Sequence, residues 1–359
     1  MNVDTPALGP AGLERFEQLR SDAIDAVTER FYACHDAVYA RFGQRGRDAC
    51  REDLGFHLEF LRPVLEFGIV QPMVDYLRWL ASVLAVRDIP AEHLSQSLDW
   101  LSEFFATHMA EPDAGLVVKA LHLAKEKFLH GDAAGPAGID PIPNAWTECE
   151  AFASALLSGD RRAAHSLFDG CLDQGRGLVE TELQMVQPAL YTIGKKWQDN
   201  QVTVAQEHLA TAIAQSVMMH GLLKSQIPAA NGSTIVLACV EGNQHAVGLQ
   251  MVADAFQLAG WDVQYLGANV PTNALIKHVA QFKPNLLGLS VSFAHQLRVV
   301  KDIMSRLTQS FGAARPPVIV GGLAINQFGG LVRALGVDTW SRDAGSAVAS
   351  ASQLAGQAG

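Results

Sequence analysis

Asn243, His245 and Gly248 stand close together, and their types suit the capture of a metal-centred ligand. An imidazole carried on a loop ligates transition metals, and a neighbouring side-chain oxygen can accept its remaining ring proton. Forty-one residues separate Gly248 from Ser290, which is followed by Ser292, and 28 residues separate Ser292 from Gly321-Gly322. Small residues at these points leave room for a long ligand, and serine hydroxyls can hydrogen-bond its nitrogens. Upstream, nine residues separate Trp197 from the pair Glu207-His208. A broad indole can shield a bulky group, and a carboxylate can accept hydrogen bonds from its hydroxyls or amines.

These side chains need a scaffold. The β-branched, apolar run Thr234–Val240 predicts a buried strand. Further strands are expected over 261–266, 286–291 and 318–320, with helices over 246–258, 273–282 and 296–310 between them. Strand and helix in alternation predict a doubly wound parallel sheet with helices on both faces. Such sheets bind ligands at the C-terminal ends of their strands, where all three small-residue groups fall. Residues 145–227 read as helical, with helices over 189–197 and 204–223 joined by a polar turn. Residues 12–130 also read as helical. There Val70, Met73, Val74, Leu77 and Leu80 form one apolar face, and Tyr76, Trp79 and Val83 a second stripe. A helix apolar on two faces is buried, or faces both a core and a ligand. Between the two helical regions, the Gly- and Pro-rich residues 131–144 predict a linker. The expected class is multidomain α and α/β: a helical domain over 12–130, the linker, a four-helix cap over 145–227, and a Rossmann-like domain over 232–359.

The series Asn243-x-His245-x-x-Gly248, Ser290-x-Ser292, Gly321-Gly322 resembles the signature of the cobalamin-binding domains of methionine synthase and its relatives. The resemblance implies a nucleotide tail threaded into the sheet and His245 ligating cobalt in place of the benzimidazole. Asn243 stands where that family has Asp, and Ser292 where it has Leu. An uncharged partner for the imidazole implies a weaker, more labile cobalt–His bond. Trp197-x9-Glu207-His208 resembles the cap of light-sensing, adenosylcobalamin-dependent transcription repressors. That likeness implies that Trp197 packs on the adenosyl group and that Glu207 and His208 help fix it. The histidine that captures cobalt after photolysis in those repressors has no secure match, and Trp197 is followed by Gln198.

Residues 53–90 resemble the globin-like N-terminal domain of photocobilins, through Phe56-His57, Phe60-Leu61, Tyr76, Trp79-Leu80 and the stretch from Arg87 to Pro90. This implies noncovalently bound biliverdin near the cobalamin, with His57, Tyr76 and Trp79 lining its slot. Arg62 or Arg78 would then pair with its carboxylates. Haem is an alternative ligand, with His57, His93 or His108 as axial candidates. Aromatic residues at this spacing equally suit a helical core.

The bulk properties bound the function. A chain of 359 residues holds two or three domains, and 49% hydrophobic with 18% charged residues is the composition of a folded protein. No apolar run reaches bilayer length, and residues 1–10 lack a basic-then-apolar leader. Five scattered cysteines without a CxxC pair suit reduced thiols in a cytoplasmic protein. A net charge of −10 disfavours direct contact with nucleic acid. The short basic stretch 41–51 includes Asp48, and no helix-turn-helix of convincing form is read. The expectation is a cytoplasmic, cobalamin-dependent photoreceptor with adenosylcobalamin and biliverdin as two chromophores, and not an enzyme. It would signal through a separate protein or a homo-oligomer, without membrane or nucleic acid. The alternatives are a corrinoid methyl carrier of a methyltransferase system and a haem- or tetrapyrrole-sensing antirepressor.

Overall fold

The computed structural model describes residues 5–130, 145–327 and 332–357. The linker expected over 131–144 lies outside the described residues. The chain divides into two compact units, one ending at Gly138 and the other beginning at Ile139.

The first unit is helical, as expected. Its described residues form α1 (Pro10–Tyr39), α2 (Gly43–Phe67), α3 (Gln71–Ala85), α4 (Ala91–His108) and α5 (Asp113–His130). Proline in the first turn starts α1 and α3, where its missing N–H costs nothing. Gly68, with a φ of 71°, ends α2 in the left-handed region. Met73, Val74, Leu77 and Leu80 of α3 are buried and join a core with Leu58, Leu61, Leu98 and Leu101. Phe16 and Phe105 stack at its centre, ring centroids 5.0 Å apart.

The second unit begins with a helical cap: α6 (Glu148–Ser158), α7 (Arg161–Asp173), α8 (Leu178–Thr181), α9 (Gln187–Gln198) and α10 (Val204–Lys224). A π turn over Glu182–Val186 joins α8 to α9 without a break. Thr203 caps α10, its hydroxyl accepting the Gln206 N–H while the Gln206 side chain returns a bond to the Thr203 N–H. Phe152, Phe168, Ile193, Ile213 and Val217 fill the interior, and Met251 and Ala255 of the following domain join them. The cap and the α/β domain therefore share one core.

The α/β domain runs β1 (Thr234–Val240), α11 (Val247–Leu258), β2 (Asp262–Val270), α12 (Thr272–Phe282), β3 (Leu286–Ser290), α13 (Leu297–Phe311), β4 (Val318–Gly321), α14 (Leu323–Gln327), α15 (Val332–Leu335), β5 (Thr339–Trp340) and α16 (Ala344–Gln357). All pairings are parallel, in the order β2-β1-β3-β4-β5. This is a doubly wound order whose connection reverses beside β1 and β3, opening a crevice at their C-terminal ends. From Ile235 to Val240, every residue of β1 is buried, the continuous apolar run of a strand covered on both faces. β2 extends four residues beyond the expected end at Leu266, with register shifts against β1. Gly267 and Asn269, at φ 77° and 49°, let it continue through those irregularities.

Candidate functional site

The sheet aligns the motif in a single row. Cys239 of β1 pairs with Ser290 of β3, and Ser290 pairs with Gly321 of β4. The loop after β1 carries Asn243 and His245, and Gly248 lies in the first turn of α11. Three elements far apart in sequence thus meet at the crevice, as their spacing implied.

The loop bearing His245 is tied down on three sides. From β2, the Asn269 side chain accepts the Gly242 N–H at 2.8 Å, and the Asn269 N–H donates to the Asn243 carbonyl at 2.8 Å. Toward β3, the buried Asn243 side chain donates to the Ser290 carbonyl at 3.0 Å and accepts the His245 N–H at 3.1 Å. Ahead of α13, Gln296 donates to the Gly242 carbonyl at 3.0 Å and accepts the N–H groups of Ser292 and Phe293, both at 3.1 Å. Asn243 was expected to accept the imidazole proton. Here both ends of its amide are engaged by backbone, so it holds the loop that carries the ring.

The His245 imidazole meets the Phe293 ring edge-on, centroids 5.1 Å apart. Desolvation lowers its pKa below the ordinary histidine value, and the Glu207 carboxylate pulls the other way. The ring is neutral at pH 7, with a lone pair free for a metal. On α10 the Glu207 carboxylate bonds the His208 Nδ1 and accepts from the Thr211 hydroxyl at 2.8 Å. His208 is mostly exposed. Trp197 is half-buried in the last turn of α9. Cys239 lies fully buried beside the loop, its thiol pushed up to about 11 by burial, so it is protonated and poorly suited to bind a metal.

The glycines test whether a long ligand fits. A Cβ on Gly322, at φ 102°, would collide with the Val291 backbone, so this glycine is required by the fold itself. A Cβ on Gly248 would meet nothing within 4 Å. No packing among the described residues explains that glycine, and the open space beside it suits a group brought from outside. The crevice, the neutral His245 and the open flank of Gly248 fit a corrinoid with its nucleotide tail.

Sequence reading missed Asn269, Phe293 and Gln296. Asn269 left one signal, since asparagine is enriched among residues with a positive φ. The other two act through contacts that no local pattern encodes. It also missed two buried acids, one in the cap and one on α11, whose titrations are linked. Glu182 of the π turn is fully buried and Asp254 is 3% exposed. Burial drives both carboxyls above their usual range, and the charge of Asp254 adds to the rise at Glu182.

In the first unit, His57 Nδ1 and the Tyr76 hydroxyl lie 2.9 Å apart, both residues buried. Tyr76 stacks on Phe60, centroids 4.2 Å apart, and Trp79 packs partly buried against the same core. The expected carboxylate partners are engaged: Arg62 pairs with Glu17 at 2.5 Å, and Arg78 donates to the Lys127 carbonyl. His93 Nδ1 bonds Tyr39, and His108 Nδ1 bonds the Phe104 carbonyl. The structure thus joins His57, Tyr76 and Trp79 in a core. The globin likeness rests on the sequence pattern alone.

The α/β domain with its loop histidine and the helical cap joined to it both match cobalamin-binding families. Residues 233–350 match the family model described as B12 binding domain, and residues 148–220 match a second model of that description. Among curated proteins, the HTH-type transcriptional repressor CarH of Myxococcus xanthus is 28% identical over 224 residues, covering 60% of this chain and 74% of the repressor. CarA, an HTH-type transcriptional repressor of the same organism, is 34% identical over 125 residues, covering 34% of this chain and 42% of the repressor. Dimethylamine corrinoid protein 2 of Methanosarcina acetivorans is 27% identical over 137 residues, covering 37% of this chain and 62% of that protein. The chain therefore spans less than two thirds of the latter two relatives. None of the three is named as an enzyme, in line with the expectation of a sensor or carrier. Among the described residues no helix is long and apolar enough to cross a membrane.

Proposed function

We propose that this protein is a light sensor that holds adenosylcobalamin between its cap and its α/β domain, with His245 on the cobalt. The observation that carries the reading is the alignment of Cys239, Ser290 and Gly321 at the strand ends beside the His245 loop, under a cap that shares its core with the α/β domain. Adenosylcobalamin supplies a cobalt–carbon bond that visible light breaks. The protein's part is to hold the two faces. His245 offers a neutral imidazole below, Ser290, Ser292, Gly321 and Gly322 border the tail slot, and Gly248 leaves its flank open. Above, Trp197 covers the adenosyl group while Glu207 and His208 take its polar edge. A cap packed partly on its ligand changes its contacts when that ligand is altered, which supplies the two-state element a sensor needs. The signal then passes to a separate protein or to a second copy of the chain.

His245→Ala tests the lower ligand. The native chain should give the spectrum of cobalamin ligated by histidine, and the variant should lose it. Identical spectra would remove His245 from the cobalt.

A methyl-carrier reading is favoured by the corrinoid proteins among the relatives. It predicts tight cobalamin binding, methyl exchange with a methyltransferase, and no lasting response to light. Biliverdin as a second chromophore is proposed for the first unit on one structural observation: the buried Nε2 of His57 has no hydrogen-bond partner among the described residues. Dark loading with biliverdin should give a red-absorbing band that His57→Ala abolishes. No band in the native chain would leave the cobalamin module as the sole sensor.

A further inference from the structure

Gln296 is 2% exposed, although glutamine is a side chain mostly found at the surface. Its oxygen accepts from Ser292 and Phe293, and its amide donates to the Gly242 carbonyl across 54 positions of sequence. The Ser292 loop and the His245 loop are the two walls of the crevice between β1 and β3. Phe293, whose N–H is held by Gln296, sets its ring against the His245 imidazole. One side chain therefore governs both the backbone that carries the metal-binding ring and the ring beside it. A primary amide offers an acceptor to one loop and a donor to the other from a single planar group.

We propose that Gln296 is a positioning residue for cobalt ligation, clasping the two loops so that the His245 imidazole stands where the cobalt requires it. This rests on the reading that His245 binds cobalt. The clasp differs from a simple cap on the turn that leads into α13. A cap needs only the acceptor oxygen, which glutamate also supplies. The clasp needs the donor to Gly242, which glutamate at neutral pH lacks.

The test is a double-mutant cycle in the full chain, read by adenosylcobalamin affinity and by the histidine-ligated absorption spectrum. Gln296→Glu should weaken binding about tenfold in the native background and less than about twofold in His245→Ala, the scale of one lost hydrogen bond acting through the ligand. It should also lower the histidine-ligated fraction of the loaded native-background chain. Equal losses in both backgrounds, or a Gln296→Glu chain that binds like the native one, would overturn the proposal. Gln296→Met, close in volume and without either hydrogen bond, repeats the cycle should the glutamate variant fail to fold. If native and His245→Ala chains bind identically with identical spectra, the cobalt reading itself fails, a result distinct from failure of the clasp.

Discussion

The Asn243 side chain joins the carbonyl of Ser290 to the N–H of His245, at 3.0 Å and 3.1 Å, so the end of β3 and the metal-binding loop share one buried amide. Asn243→Ala leaves both backbone groups without that partner and should destabilise the chain by about 1–3 kcal/mol. Asn243→Asp keeps the acceptor but turns a carboxylate toward the Ser290 carbonyl. Its melting temperature should fall as pH rises above the usual carboxylate range, because only the protonated acid can donate. A flat profile at native stability would show that the side chain has left Ser290.

Gly248 and Gly322 should respond to alanine in opposite ways. Gly322→Ala forces a side chain into the left-handed region and against Val291, and should cost about 2–4 kcal/mol in chemical denaturation. Gly248→Ala meets no neighbour and sits in a helix, so the cofactor-free chain should be stabilised by up to about 1 kcal/mol. Its cobalamin affinity should nonetheless drop, since the added methyl occupies the open flank. Native affinity in Gly248→Ala would place the tail elsewhere.

Much of this site was legible because its chemistry is local. Thr234–Val240 was read with the bounds it has, since a buried strand needs a continuous apolar run. The spacing from Gly248 to Ser290 and Gly321 works because each crossover has a near-fixed length. What the sequence hid is tertiary. Gln296 reads as the first polar residue of an amphipathic helix, and its partner Gly242 lies four elements upstream, before α11. The backbone role of Asn243 is hidden in the same way, since its residue type suits the imidazole as well as the backbone. The aromatic stripe of α3 was open to two readings, a core or a ligand slot, and the structure packs Tyr76 and Trp79 into the core.

Trp197→Ala should reduce the preference for adenosylcobalamin over methylcobalamin, because an indole over the upper ligand rewards the larger group. About 1–2 kcal/mol of selectivity should be lost, a tenfold effect in relative affinity, measured by competition in darkness. Unchanged discrimination would mean that Trp197 does not cover the ligand.

The Glu182–Asp254 pair makes stability depend on pH. Both carboxyls are raised in the folded chain, so their contribution is fully present below the unfolded carboxylate pKa and is lost as pH rises through the folded values. Melting temperature should therefore fall from about pH 5 toward alkaline pH, and Glu182→Gln should flatten the decline and raise it at pH 8. If the native and Glu182→Gln profiles run parallel, this pair does not govern the cap–sheet junction.

The most direct test of the sensor is an absorption spectrum of the chain loaded with adenosylcobalamin in darkness, recorded before and after illumination. The account predicts a histidine-ligated adenosylcobalamin spectrum in the dark. Light should convert it to one lacking the cobalt–carbon bond, with a shift in oligomeric state in the same sample. A spectrum and an assembly that light leaves unchanged would contradict the sensor and leave a carrier.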